Sequence, residues 1–123
     1  MLNQFKQHIA QKFPESLSGK TLLAVSGGVD SMVLLHLYLA LRLDFAVAHC
    51  HFQLRGTESN LAEKLVVDFC KKHNIPYFIE RFDTMQFVES RKVSIQIAAR
   101  ELRYNWFKQI CADNDYQFIA TAH

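Results

Sequence analysis

Thr21-Leu22-Leu23-Ala24-Val25 is an apolar run without polar alternation. It is followed at once by Ser26-Gly27-Gly28-Val29-Asp30-Ser31 and then by apolar residues at helical spacing. A continuous run of this kind fits a strand covered on both faces, and parallel sheets bury their strands in that way. Two adjacent glycines then permit positive φ and a tight turn, and free N–H groups at the start of the following helix attract an anion. Strand, glycine turn and helix in this order open a crossover unit, which confines the chain to a layered α/β architecture.

The rest of the sequence repeats the alternation. Met32–Leu43 reads as a helix, with Leu35, Leu39 and Leu43 on one line and Met32, His36 and Ala40 on the next. Phe45–His49 reads as a second strand, opening into a polar loop from His51 to Glu58. Ser59 or Asn60 is expected to cap a helix whose stripe is Leu61, Leu65 and Phe69. Lys71, Lys72 and His73 fall in its last turn, and Asn74 and Pro76 stop it. Tyr77–Phe82 is a third strand. Residues 83–93 read as a loop with a short helix. Ser94 caps a longer helix with Ile95, Ala99, Leu102, Trp106 and Ile110 in register, ending at Asp113-Asn114-Asp115, and Gln117–Ala122 is a fourth strand. The expected fold is therefore a Rossmann-like, doubly wound parallel sheet of one domain, with ligands bound beyond the carboxyl ends of the strands. The first residues predict a short helix ending before Pro14.

Composition narrows the class. Half of the 123 residues are apolar or aromatic and 21% are charged, which excludes collagen-like, mucin-like and strongly disordered chains. Met32–Leu43, the longest apolar-rich stretch, is interrupted by His36 and Arg42 and falls short of the roughly 18 apolar residues of a membrane span. The N-terminus has no signal-peptide apolar region. Cys50, Cys70 and Cys111 form no CxxC pair and read as fillers in a reducing, cytoplasmic compartment. A net charge of +2 does not by itself announce a nucleic-acid binder.

The chemistry concentrates in Ser26–Ser31. Ser26 and Ser31 offer hydroxyls to phosphate oxygens, while Asp30, a carboxylate beside phosphates, reads as a Mg²⁺ contact or as a helix cap. The loop has neither the GxxxxGK[ST] nor the GxGxxG pattern. Arg100 and Arg103 share a helix face opposite the Ile95/Ala99/Leu102/Trp106 stripe, so they can meet phosphates without entering the core. Arg55, beside Gly56, is either a phosphate contact or a solvated loop residue. His49 and His51 point to one side of their strand and Cys50 to the other, and no third ligand at characteristic spacing makes them a metal site. His36 and His73 read as residues of a helix surface and a helix end.

SGGVDS resembles the SGGxDS pyrophosphate loop of the ATP pyrophosphatases. AHCHFQLRGTES resembles the H-x-(N/D)-H-x-L-R-G-x-x-S segment of the tRNA(Ile)-lysidine synthetase family, matching at His49, Leu54, Arg55, Gly56 and Ser59. SIQIAARELRYNWF resembles that family's S-x-E-x-A-A-R-x-x-R-Y segment, matching at Ser94, Ala98, Ala99, Arg100, Arg103 and Tyr104. The chain departs from the pattern at His51, Phe52 and Gln96. The resemblance implies an N-terminal PP-loop ATP-binding domain over residues 1–123, of the adenine nucleotide alpha hydrolase-like type, cut at its C-terminal end and inactive alone. It implies that Ser26, Gly27, Gly28, Val29, Asp30, Ser31, His49 and Arg55 bind ATP, with Asp30 on Mg²⁺, and that Asp30, Arg100 and Arg103 serve catalysis. The implied reaction joins L-lysine to the wobble cytidine of an isoleucine tRNA with a CAU anticodon. Lysine and further metal contacts are expected beyond His123, and a homodimer stays open. Two rivals are a tRNA cytidine thiolase, which needs paired cysteines, and a non-catalytic nucleotide-binding module, which usually carries a different glycine pattern.

Overall fold

The computed structural model describes residues 20–122. The helix expected before Pro14 lies outside them. The elements are β1 (Thr21–Ala24), α1 (Val29–Ala40), β2 (Phe45–His51), α2 (Thr57–Lys72), β3 (Tyr77–Arg81), α3 (Thr84–Arg91), α4 (Ile95–Asn114) and β4 (Phe118–Ala120). The four strands form one parallel sheet in the order β3-β2-β1-β4. The chain moves outward from β1 to β3 and then returns to the other side of β1. The change of direction falls between β1 and β4, and the crevice above such a point is where open α/β sheets take their ligands. The doubly wound parallel α/β architecture expected from the sequence is the one observed.

Each face of the sheet has its own core. Leu23, Val25, Phe45 and Val47 pack with Leu35 and Tyr38 of α1 and Val66 and Cys70 of α2. Leu22, Ala46 and Ala48, pointing the other way, pack with Phe107 and Ile110 of α4. β1 has hydrogen-bonded neighbours on both edges and side chains buried on both faces, which is why its sequence carries no polar alternation.

Several boundaries differ from expectation for local reasons. α1 begins at Val29, three residues early, because the glycine turn is already complete at Gly28. It ends at Ala40, where Arg42 turns left-handed (φ 55°). Arg42 N–H then donates to Leu39 O and Leu43 N–H to Tyr38 O, a paired closure of the last carbonyls. Leu43 therefore reaches the core from the connection. Asn74 closes α2 in the same way, as expected. β2 continues to His51 because its last residues still pair with β3, whereas β4 is only as long as the stretch of β1 it meets. Asp83 caps α3 through Gln86 N–H, and Ser94 caps α4 through Ile97 N–H.

The buried lines of α2 and α4 also shift. Leu61 and Leu65 are 62% and 48% exposed, and the residues that face the sheet are Val66 and Cys70, both fully buried. In α4 the buried residues are Ala98, Phe107 and Ile110, while Ile95 is exposed and Leu102 and Trp106 are half-buried. The inward assignment of α2 is testable by urea unfolding. Val66→Ala is expected to lower stability by about 2 kcal/mol through the cavity it leaves, and Leu61→Ala to change it by less than about 0.5 kcal/mol.

Candidate functional site: a phosphate loop facing a half-buried arginine

Val25, the residue after β1, is held by β2 at both backbone groups. Its N–H donates to Ala48 O at 3.0 Å and its C=O accepts from His49 Nδ1 at 2.7 Å. The chain then turns at Gly27, with φ +90°, where a Cβ would come within 3.0 Å of Ala62 Cβ and 3.2 Å of its Cα. Both the left-handed backbone and the close passage over α2 require glycine here. Gly28 has an ordinary extended backbone (φ −75°), so only one of the two glycines uses the conformational freedom expected of both.

The serines brace the turn. Ser31, buried at 4% exposure, accepts from Gly27 N–H at 3.1 Å and donates to Gly28 O at 3.0 Å, with Ser26 Oγ at 3.1 Å. Ser26 Oγ accepts from Gly28 N–H at 3.2 Å. Among the described residues no acceptor takes the N–H groups of Val29, Asp30 or Ser31 at the start of α1. These amides and the helix dipole make a site for an anion. Asp30 is not the cap, since the residue at that position is Gly28 and no side chain caps the helix. Its carboxylate is exposed in the first turn and has no side-chain partner among the described residues.

The two histidines of β2 have different duties. His49 is 3% exposed, and because its Nδ1 donates to Val25 O, its Nε2 is an acceptor beside the cleft. Burial pushes its pKa down, with the Val25 hydrogen bond opposing. His51 accepts from Gln53 N–H at Nδ1 (3.1 Å) and so donates from Nε2 to Asn60 Oδ1 (2.7 Å). Both His51 nitrogens are thus engaged within the protein. Among the described residues no three His, Cys, Asp or Glu side chains converge on a metal position. Asn60 thus ties α2 to β2, and Ser59 Oγ accepts from Arg55 N–H, so neither is the helix cap. That position belongs to Gly56. Arg81 and Glu63 form a two-point ion pair (2.7 and 3.1 Å) between β3 and α2, which holds the Glu63 carboxyl below its ordinary range.

Two adjoining clefts open at the carboxyl end of the sheet. One, of about 70 Å³, is lined by Val25, Ser26, Ser31, Phe52, Arg103 and Phe107, with Thr121 and Ala122 after β4. The other, of about 310 Å³, lies between Ser26, His49, Phe52, Arg55, Ser59 and Ala62. Arg103 departs from the sequence expectation. It sits four residues before Phe107 and seven before Ile110, on the buried line of α4, so it enters the cleft from the core side. Its Nε is buried without a hydrogen-bond partner, and the ion pair of the described residues, Arg81 with Glu63, does not involve it. Arg100 is exposed and lies outside both clefts. Burial pushes the Cys50 thiol up to about 12 and Cys70 up to about 11, and raises Cys111, so none is a ready thiolate.

The loop, His49, Arg55 and Arg103 are thus brought to one end of the sheet, and Arg100 is not. Phe52, whose ring stacks on Phe82, and Phe107 wall the clefts; the sequence marked Phe52 only as a departure from the family pattern and did not single out Phe107. The position of Phe52 just past β2 was the available signal.

A parallel α/β sheet with a glycine-turned anion loop at its switch point defines a nucleotide-binding domain of the Rossmann-like class. The whole chain, residues 1–123, matches the PP-loop domain family, and it belongs to that family. It is 44% identical over 104 residues to a tRNA(Ile)-lysidine synthase of Bacteroides thetaiotaomicron, covering 85% of this chain and 24% of that protein. Over 106 residues it is 45% identical to the Chlorobaculum tepidum protein of the same name, covering 83% and 32%. The chain therefore spans a third or less of these relatives. In fold it is similar to an NH3-dependent NAD synthetase from Campylobacter jejuni, with a TM-score of 0.72 at 20% identity, covering 97% of this chain and 54% of that one. A second similar structure is an NMN synthetase from Francisella tularensis, with a TM-score of 0.67 at 15% identity, covering 96% and 53%. No helix of the described residues is long and apolar enough to cross a membrane.

Gly27→Ala is expected to lower stability by about 1–3 kcal/mol in urea unfolding, from φ strain and the Ala62 contact. His49 binds its proton less readily folded than unfolded. Its contribution to stability is therefore complete above the unfolded pKa of about 6.5 and is lost as pH falls below it. The urea midpoint should drop between pH 7.5 and 5.5, and His49→Asn, which keeps a donor for Val25 O, should flatten that slope.

Proposed function

We propose that this chain is the ATP-binding portion of a tRNA(Ile)-lysidine synthetase acting in the cytoplasm. The observation that carries the nucleotide reading is the pairing, across one cleft, of a loop with unused amides and an arginine whose buried Nε has no partner. A half-buried guanidinium without a carboxylate is costly unless an anion completes it. The choice of reaction is supported by the names of the relatives, 31% to 45% identical to this chain, together with the LRG and AARELRY segments.

In this reading ATP lies along the carboxyl end of the sheet. The amides of Val29, Asp30 and Ser31 and the hydroxyls of Ser26 and Ser31 hold the phosphates that leave as pyrophosphate, and Arg103 faces them from α4. The close approach at Gly28, which has no side chain, keeps the backbone within reach of phosphate oxygens. His49 offers an acceptor to a nucleotide hydroxyl and Arg55 a cation at the outer cleft. Asp30 suits Mg²⁺, which takes one or two carboxylates together with substrate phosphates and supplies charge neutralisation when bound. The wobble cytidine oxygen of an isoleucine tRNA with a CAU anticodon displaces pyrophosphate from the α-phosphorus. The lysine amine then displaces AMP, so the products are lysidine, AMP and pyrophosphate. This chain's contribution is electrostatic and positional rather than covalent. A cytidine thiolase reading is disfavoured because the three free cysteines all have raised pKa values.

In a full-length protein carrying this domain, Asp30→Ala is expected to slow tRNA-dependent pyrophosphate release at least about 100-fold. With the wild type, AMP release should require lysine. Unchanged release in the variant would remove Asp30 from the site, and AMP release without lysine would overturn the choice of reaction.

A further inference from the structure

Arg103 poses a problem of its own. A long cationic side chain on the buried line of a helix needs something to fix its direction, because a free guanidinium carries about 2 kcal/mol of rotamer entropy. Among the described residues it forms no ion pair with a carboxylate, and its buried Nε has no hydrogen bond. What it does have is the ring of Tyr104, whose centroid lies 5.1 Å from the guanidinium carbon. The ring is itself held. Its centroid is 6.3 Å from that of Phe107 in an edge-to-face contact, and Phe107 is 1% exposed in the α4 core. Arg100 lies 6.0 Å from the same ring on the outer side of the helix. Tyr104 is 39% exposed, so burial of its own surface is a weak reason for an aromatic there.

Resting on the ATP reading above, we propose that Tyr104 is a positioning residue that directs the Arg103 guanidinium toward the nucleotide phosphates. The choice of an aromatic ring over a carboxylate has a chemical reason. A carboxylate would fix the guanidinium equally well, but it would cancel the charge and occupy the N–H groups that a phosphate needs. A ring face attracts the cation through its quadrupole and leaves every N–H donor free. Phe107 then links the direction of Arg103 to the core, so the helix that closes one face of the sheet also aims a charge at the loop on the other side of the cleft.

The test is calorimetric titration of the full 123-residue chain with ATP and, separately, adenosine, which lacks the phosphates. Tyr104→Leu is expected to weaken ATP binding about five- to tenfold, in keeping with a cation–π contact. It should leave adenosine affinity and the urea midpoint where they were. Tyr104→Phe, which keeps the ring, should restore ATP affinity to within about twofold of wild type. Unchanged ATP affinity in Tyr104→Leu overturns the inference, and so does an equal loss for ATP and adenosine or a lowered urea midpoint, which would mark a packing role. A wild-type chain with no affinity for ATP overturns the nucleotide reading itself, and this inference with it.

Discussion

Everything at the carboxyl end of the sheet depends on how β2 grips Val25. The strand ladder supplies one hydrogen bond, from Val25 N–H to Ala48, and a side chain supplies the other, from His49 Nδ1 to the Val25 carbonyl. A buried carbonyl at a strand end would otherwise go unpaired, because the chain leaves the sheet there. The phosphate loop therefore starts from a backbone position fixed on both sides, and Gly27 can pass within contact distance of Ala62 without the loop having to search for its path. His49 must stay neutral to remain buried comfortably, so the geometry of the loop and the acidity of the medium are coupled through one imidazole.

The site also shows why net charge says little about function. A total of +2 hides the fact that one arginine has been placed on the apolar line of a helix. Where α4 passes the end of the sheet there is no strand left for that line to pack on, and the position that would be core one turn later becomes the wall of a cleft. The helix thus presents core packing and a cleft wall on a single face, ordered along its length by where the strands stop.

Strand order aside, the elements were legible because each is announced by something hard to mistake: the unbroken apolar run of β1, the Gly27-Gly28 turn, Asn74 before Pro76, and Ser94 as a cap. The faces of α2 and α4 were not. In α2 the lines Leu61-Leu65-Phe69 and Ala62-Val66-Cys70 are adjacent and both apolar, and periodicity cannot choose between them. The choice is made by Gly27, which needs a small residue beneath it, and Ala62 on the second line provides it. In α4 the inward line contains an arginine, which a hydrophobic pattern reads as an outward position. The Ser26–Ser31 turn was legible from its two glycines and its place between an apolar run and a helix. The roles of His51, Asn60 and Ser59 depend on hydrogen bonds between segments distant in sequence, and no local pattern carries those.

The serine bracing of the loop bears on the kinetics of capture. Gly27 and Gly28 amides already have hydroxyl partners from Ser31 and Ser26, so the loop is held in shape by its own side chains. Arrival of a phosphate asks only that hydroxyls rotate and exchange one acceptor for another, a motion of picoseconds to nanoseconds rather than the ordering of a segment. The entropy of shaping the cradle is spent during folding, and the encounter with ligand is left to be governed by diffusion and charge.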